Sequence, residues 1–404
     1  MYKNIIILIL ILGLNACNSE KTEKKITAFE SKEKLGKSLF FDANLSLERK
    51  TSCATCHDPE HGFVDARFSK KEIDQTIFVN GALSVGDDEV SLGGRNAPTA
   101  SYAMFSPDFD PKEVKGGQFH DGRASTLKDQ AMGPPLDTAE MMMLSNADVV
   151  KRIEENPHYV KSFKKFYGDD IFDDINASYE AMGEAIAKFE KTDFFAPFDS
   201  KYDRLVACKK SGKRTSQCLQ EGNWTIDEDL GMSLFFADEN TNCINCHQLK
   251  KQSDVEGETF TNYEYHNIGV PRNSKAIQSR FDLGLGKLDT IEHGVFGAYK
   301  DINKSKDGAI KVPTLRNVAI TAPYMHNGIF QKLSTVLAFY DNMGSGERLN
   351  NPETNQPWGK TDINSTINHK DLEMKKLSDR KLEALEAFLR TLTDKRYEHL
   401  LKKR

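Results

Sequence analysis

At 404 residues the chain is long enough for two or three domains, and 38% hydrophobic with 9% aromatic residues can supply packed cores, which excludes a disordered polymer. Lys and Arg number 55 against 60 Asp and Glu, so a formal charge of -5 gives no general attraction to nucleic acid. Partners must be inferred from sites.

At the N-terminus, Lys3 precedes an apolar run from Ile5 to Leu14 that is too short to span a bilayer and has the form of a signal-peptide core. The run ends in Leu14-Asn15-Ala16-Cys17, which resembles a bacterial lipobox although Asn15 is a less usual residue at its place. Residues 1–16 are expected to be removed and lipid attached to Cys17, leaving the mature chain anchored to a membrane in the periplasm. The alternative is a plain signal peptide with an incidental cysteine, but an exposed thiol just after an export signal would be a liability. Residues 17–30, rich in Lys, Glu, Ser and Thr, read as a solvated tether.

Two stretches then repeat. Leu35-Gly-Lys-Ser-Leu-Phe-Phe41 recurs as Leu230-Gly-Met-Ser-Leu-Phe-Phe236. In each, leucines four residues apart share one helical face. Ile175, Tyr179, Met182, Ile186 and Phe189 form a further helical stripe, as do Leu382, Leu385, Leu389 and Leu392 after an N-cap expected at Ser378. No stretch between them alternates convincingly as a strand, so the chain reads as mainly α with long functional loops.

Each repeat precedes a CxxCH motif: Cys53-Ala-Thr-Cys56-His57 and Cys243-Ile-Asn-Cys246-His247. This spacing lets two thiols form thioethers with haem vinyl groups while the adjacent imidazole reaches iron. A zinc site built from both pairs would need ligands 190 positions apart and would leave both histidines unexplained. A thioredoxin-like pair would need a βαβ context, which is absent. Two covalent haems c are therefore expected. Between the motifs, Cys208 and Cys218 flank a basic loop that they can close as a disulfide in an oxidising compartment, worth on the order of 2 to 3 kcal/mol. The domain boundary is expected near residue 222, giving domains 31–222 and 223–404.

From about Leu35 to Leu392 the chain resembles the bacterial dihaem cytochrome c peroxidase and MauG family. The resemblance is carried by the two repeats and by Asn96-Ala-Pro-Thr99, Gln118-Phe-His-Asp-Gly-Arg123, Gln130-Ala-Met-Gly-Pro134, Glu140-Met141, Val312-Pro-Thr-Leu-Arg-Asn317 and Tyr324-Met-His-Asn-Gly328. It implies two cytochrome c-like α domains, each with one covalently bound haem. The N-terminal haem would reduce hydrogen peroxide and the C-terminal one would receive electrons, with the extreme C-terminus returning to the first domain. The donor would be a small soluble cytochrome or cupredoxin, or, in the MauG-like alternative, a specific protein oxidised at a side chain. A plain electron-transfer cytochrome is the reading of another class, and homodimerisation is left open.

The resemblance also implies site roles. Glu140 would move the proton that lets peroxide leave as water, with Gln130 orienting the substrate. Asn96, Thr321 and Pro323 would hold a calcium ion through hard oxygen atoms. Arg316 would pair with a haem propionate.

Three departures stand out. Many relatives carry a histidine, in the loop before Asn-Ala-Pro-Thr, that caps the peroxidatic iron; here Val64 to Gly94 contains none, and His61 follows His57 too closely to swing easily to the opposite face. The family's tryptophan between the haems falls at His120, which titrates. The sixth ligand of the second haem is Tyr340, at the position of the peroxidases' methionine, or Met343 one turn further on. MauG-type oxidases use tyrosine, and Tyr340 is the favoured reading.

Overall fold

The computed structural model describes residues 26–68, 79–237, 241–248 and 256–403. Cys17 and the expected signal sequence lie outside them. Among the described residues no helix is long and apolar enough to cross a membrane.

The architecture is helical, as the periodicity predicts. In the first half α1 (Lys32–Phe40), α2 (Leu127–Ala131), α3 (Asn146–Glu154), α4 (Pro157–Tyr167) and α5 (Ile175–Glu190) enclose one core. In the second half α6 (Lys201–Lys210), which carries α7 (Thr215–Glu221) on its flank, α8 (Ile226–Phe235), α9 (Leu333–Ser345) and α10 (Asp379–Arg390) contribute to another. A nine-residue helix at Ser274–Asp282 and shorter turns occupy the loops. The described strands are only two residues long, pairing Tyr265–His266 with Ile310–Lys311 and Asn350–Asn351 with Gln356–Pro357, both antiparallel.

Local chemistry sets the helix starts. Asp174 accepts from the backbone N–H groups of Asn176 and Ala177 at α5, and Thr225 with Glu228 forms a capping box at α8. Ser378 caps α10 through the Lys381 N–H, as expected from the sequence. Such caps contribute about 1 kcal/mol each, whereas fully burying one Leu or Phe contributes about 1.5 to 3 kcal/mol, so the apolar stripes hold the helices in place. Tyr179, Met182, Ile186 and Phe189 are buried on α5; Ile175, predicted in the same stripe, sits in the first turn and is exposed.

The internal repeat becomes a repeated helix crossing. α1 packs on α5 and α8 packs on α10. A Cβ placed on Gly36 would lie 1.8 Å from the Ala185 carbonyl oxygen, and one on Gly231 would lie 1.8 Å from that of Ala384. Only glycine permits either approach. The match extends past the crossing: Thr192 Oγ1 donates to Phe189 O at 2.8 Å, and Thr391 Oγ1 donates to Phe388 O at 2.7 Å.

Three other segments make defined contacts. Cys208 and Cys218 form a disulfide joining α6 to α7. The C-terminal segment crosses to the first half, where Tyr397 donates to Pro59 O at 2.6 Å and Arg396 donates to Phe194 O at 2.6 Å. Residues 26–30, assigned to the tether on composition, run along α4: the Phe29 N–H donates to Ser162 Oγ at 2.8 Å, and Lys161 Nζ donates to Ile26 O at 2.8 Å.

Candidate active site

The two CxxCH motifs adopt the same local design. Cys53–Cys56 is one helical turn, opened where the Ser52 N–H donates to Thr55 Oγ1, and Cys243–Asn245 is a tighter turn of the same kind. His57 Nδ1 lies 3.2 Å from Phe63 O, and His247 Nδ1 lies 3.2 Å from Phe260 O. A carbonyl can only accept, so each ring carries its proton on Nδ1 and leaves Nε2 for a metal. Burial holds both imidazoles neutral, with His247 pushed down to about 4. Phe63 and Phe260 reach these positions at φ 57° and 55°, in the left-handed region that costs a non-glycine residue on the order of 1 to 2 kcal/mol. Both are fully buried, and Phe63 stacks on Phe195 with centroids 4.3 Å apart.

The four motif cysteines are unpaired, and burial raises their pKa values, to about 12 for Cys53, Cys56 and Cys246. Thiols one turn apart beside a neutral imidazole fit covalent haem attachment. The second motif also opens on a cavity of ≈ 350 Å³ whose wall includes Cys243, Cys246, His247, Phe235, Leu337, Leu385 and Leu389. An apolar cleft with a few convergent polar groups suits a porphyrin.

Tyr340, on α9, lines this cavity. Burial raises its phenol, and the thiols of Cys246 and Cys243 push in the same direction. Met343 does not line the cavity; its methyl group packs toward Gly269, where an added Cβ would come within 2.8 Å of Cε. Tyr340 and His247 thus share the wall of one cavity, and Met343 does not.

Glu140 follows a tight turn at Pro134–Leu136, and its backbone carbonyl accepts from the Asp87 N–H at 2.8 Å. Its carboxyl is raised to about 7, first by burial and then by Asp137, with Arg123 opposing. The carboxylate also contributes to raising the Cys53 and Cys56 thiols, behind Glu190 at Cys53 and Asp65 at Cys56. Gln130 projects, half-buried, from α2, which packs against α5.

The other expected residues divide. Asn96, Thr321 and Pro323 all line the cavity between the halves. Among the described residues there is no cluster of three or more His, Cys, Asp or Glu able to hold a metal, and an amide-and-carbonyl site requires none. His120 and His326 also line the cavity, half-buried, with ring centroids 6.5 Å apart. Sequence reasoning had missed His326.

Arg316 requires a correction. Its guanidinium makes two bonds to Asp203, at 2.6 and 2.8 Å, two to Glu258 O and one to Ser200 Oγ, which uses all five N–H donors. Tyr102, Phe198 and Phe260 surround it. It is a buried structural cation with no donor left for a propionate.

Residues 30–211 match the family model described as di-haem cytochrome c peroxidase. The methylamine utilization protein MauG of Paracoccus denitrificans is 42% identical over 373 residues, covering 91% of this chain and 89% of its own. Cytochrome c peroxidase Ccp of Escherichia coli is 30% identical over 305 residues, 76% of this chain and 52% of its own. The crystal structure of the diheme peroxidase BthA from Burkholderia thailandensis shares the fold with a TM-score of 0.75 at 28% identity, covering 92% of this chain and 88% of that one. These matches and the paired histidine geometry place the chain in the dihaem cytochrome c peroxidase and MauG family.

Proposed function

We propose that the chain reduces hydrogen peroxide to water at a haem held by Cys53, Cys56 and His57. Electrons enter through a second haem held by Cys243, Cys246 and His247 and come from a protein substrate, in the MauG-like manner. Haem iron supplies the redox change and the exchangeable position that peroxide needs. Glu140 takes a proton from one peroxide oxygen and returns it to the other, so that water departs in place of hydroxide, while Gln130 orients the substrate. Asn96, Thr321 and Pro323 hold calcium between the halves. Lipid on Cys17 keeps the enzyme at a periplasmic membrane.

The observation that carries the MauG-like choice is Tyr340 on the cavity wall with Cys243, Cys246 and His247, where a peroxidase would present methionine. A phenolate ligand would stabilise the more oxidised states of iron, which suits storing the oxidising equivalents of peroxide until a protein side chain supplies the electrons, whereas a thioether would favour ferrous iron and reduction by a small carrier. The second reading is a peroxidase served by a small soluble cytochrome or cupredoxin, and the E. coli relative's name favours it. Resting-state absorption and electron paramagnetic resonance spectra test the ligand. One high-spin and one low-spin ferric haem are expected, with Tyr340→Phe altering only the low-spin signal and Met343→Leu altering neither. Loss of the low-spin signal in Met343→Leu would move the assignment to the peroxidase reading; two low-spin haems in the unmodified protein would point to simple electron transfer.

A further inference from the structure

The two glycine crossings fix a register between the halves. Gly36 meets Ala185 where Gly231 meets Ala384, so five residues onward Glu190 on α5 occupies the place of Leu389 on α10. Leu389 lines the cavity beside Cys243 and Cys246, as an apolar pocket requires. Glu190 sits in an equally dry place but is an acid. It is 6% exposed, and its Oε2 has no hydrogen-bond partner among the described residues. Cys53 packs against the core built partly by Tyr179, Met182, Ile186 and Phe189 of the same helix, and Glu190 is the charged group with the largest effect on its thiol. An unpaired buried carboxyl costs stability, and the leucine in the other half shows that this helix crossing does not need one.

We propose that Glu190 is the redox-linked proton acceptor of the N-terminal haem. The inference rests on the reading that Cys53, Cys56 and His57 hold that haem. An electron delivered to the iron from the second haem would lower the pocket's charge by one, and Glu190 would take one proton from solvent to restore it. Oxidation reverses both transfers. Burial alone raises the carboxyl to about 8, so the acid is uncharged near neutrality unless a neighbouring positive charge draws the proton off.

Other titratable groups also face this pocket. Cys53 and Cys56 cease to titrate once they are thioethers, and burial raises Tyr179 well above neutrality. The buried face of α1 packed there offers Leu35, Leu39 and Phe40, none of which titrates. Asp65 and Arg67 act on Cys56 as well and are paired with each other at 2.6 Å, whereas Glu140, at about 7, titrates in the same range as Glu190 and must be silenced in the test.

The experiment is a spectroelectrochemical titration of the N-terminal haem in holoprotein carrying Glu140→Gln, repeated across pH. A carboxylate stabilises oxidised iron, so the midpoint potential should fall as pH rises through about 8. Adding Glu190→Gln should hold the potential at its acid-side value throughout. Glu190→Leu, which installs the residue used in the other half, should do the same. A potential that ignores pH in the Glu140→Gln protein, or that still moves in both double variants, overturns the proposal. Mass spectrometry of the denatured protein separates the two readings, because absence of an adduct on Cys53 and Cys56 would instead remove the haem site.

Discussion

The Nδ1 atom of His57 lies 3.2 Å from the carbonyl oxygen of Phe63, held there by a phenylalanine in the left-handed region. His247 and Phe260 repeat the arrangement across a loop more than twice as long. Two unrelated loop lengths reaching one geometry show what the site requires: a neutral imidazole with its distal nitrogen free and its ring orientation locked. Mass spectrometry of the denatured mature protein should therefore find two haems per chain. Replacing Cys243 and Cys246 by alanine should leave one, on Cys53 and Cys56. A single haem in the unmodified protein, or metal without porphyrin, would contradict this.

Glu140 has its carboxyl raised to about 7 by burial and by Asp137. If it accepts the peroxide proton, the ionised form is the active one, so the rate should rise with pH through about 7 and be lost below it. Glu140→Gln should slow peroxide turnover roughly a hundredfold or more and flatten that profile while leaving haem loading intact. Gln130→Ala should cost less, because an orienting amide transfers no proton. Steady-state kinetics across pH with quantified haem checks both, and unchanged turnover in Glu140→Gln would reassign the carboxylate to structure.

Much of this was legible in the residues because it is written in short periods. The CxxCH spacing, the two Leu-Gly-x-Ser-Leu-Phe-Phe segments and the leucine stripe after Ser378 each specify local geometry that the fold retains. Arg316 was misread for a physical reason. A motif places an arginine near a cofactor, but which acceptors consume its five donors depends on Asp203 and the Glu258 carbonyl, both distant in sequence. Glu190 was hidden in the same way. Its helix looks like a plain apolar stripe until the Gly36 and Gly231 crossings align it with Leu389.

The Arg316 assignment makes its own prediction. With 0% side-chain exposure and its partner Asp203 at 11%, the pair is a buried one, and removing one member leaves a charge without compensation. Arg316→Met should destabilise the protein by about 3 to 5 kcal/mol. The spectra of both haems in the fraction that folds should be unchanged. Denaturant unfolding measures the first and absorption spectroscopy the second; a shifted haem spectrum with unaltered stability would restore the propionate role.

The last prediction concerns activation. In relatives with a histidine in the loop before Asn-Ala-Pro-Thr, reduction of the second haem releases that ligand from the first, a two-state loop biased by one electron. Here 64–94 contains no histidine, and three substitutes nearby are engaged elsewhere. Asp87 is fully buried, with its carboxylate accepting from Ser46 Oγ and from the N–H groups of Glu48, Lys50 and Thr51. Asp88 caps the turn at Val90 and Ser91. His61 pairs with Asp58 at 3.2 Å, on the same short loop as His57. Moving Asp87 would strand the Glu48 and Lys50 N–H groups and leave Ser46 and Thr51 with one acceptor each, Ala43 O and Ser46 Oγ, at about 1 kcal/mol or more for each donor left buried and unpaired. The fully oxidised protein should therefore contain a high-spin N-terminal haem already open to peroxide. Stopped-flow mixing of oxidised protein with peroxide should show a fast absorbance change without prior reduction. No reaction until one electron per chain has been added would mean that a cap exists despite the missing histidine, and the reading of an open resting site would fall.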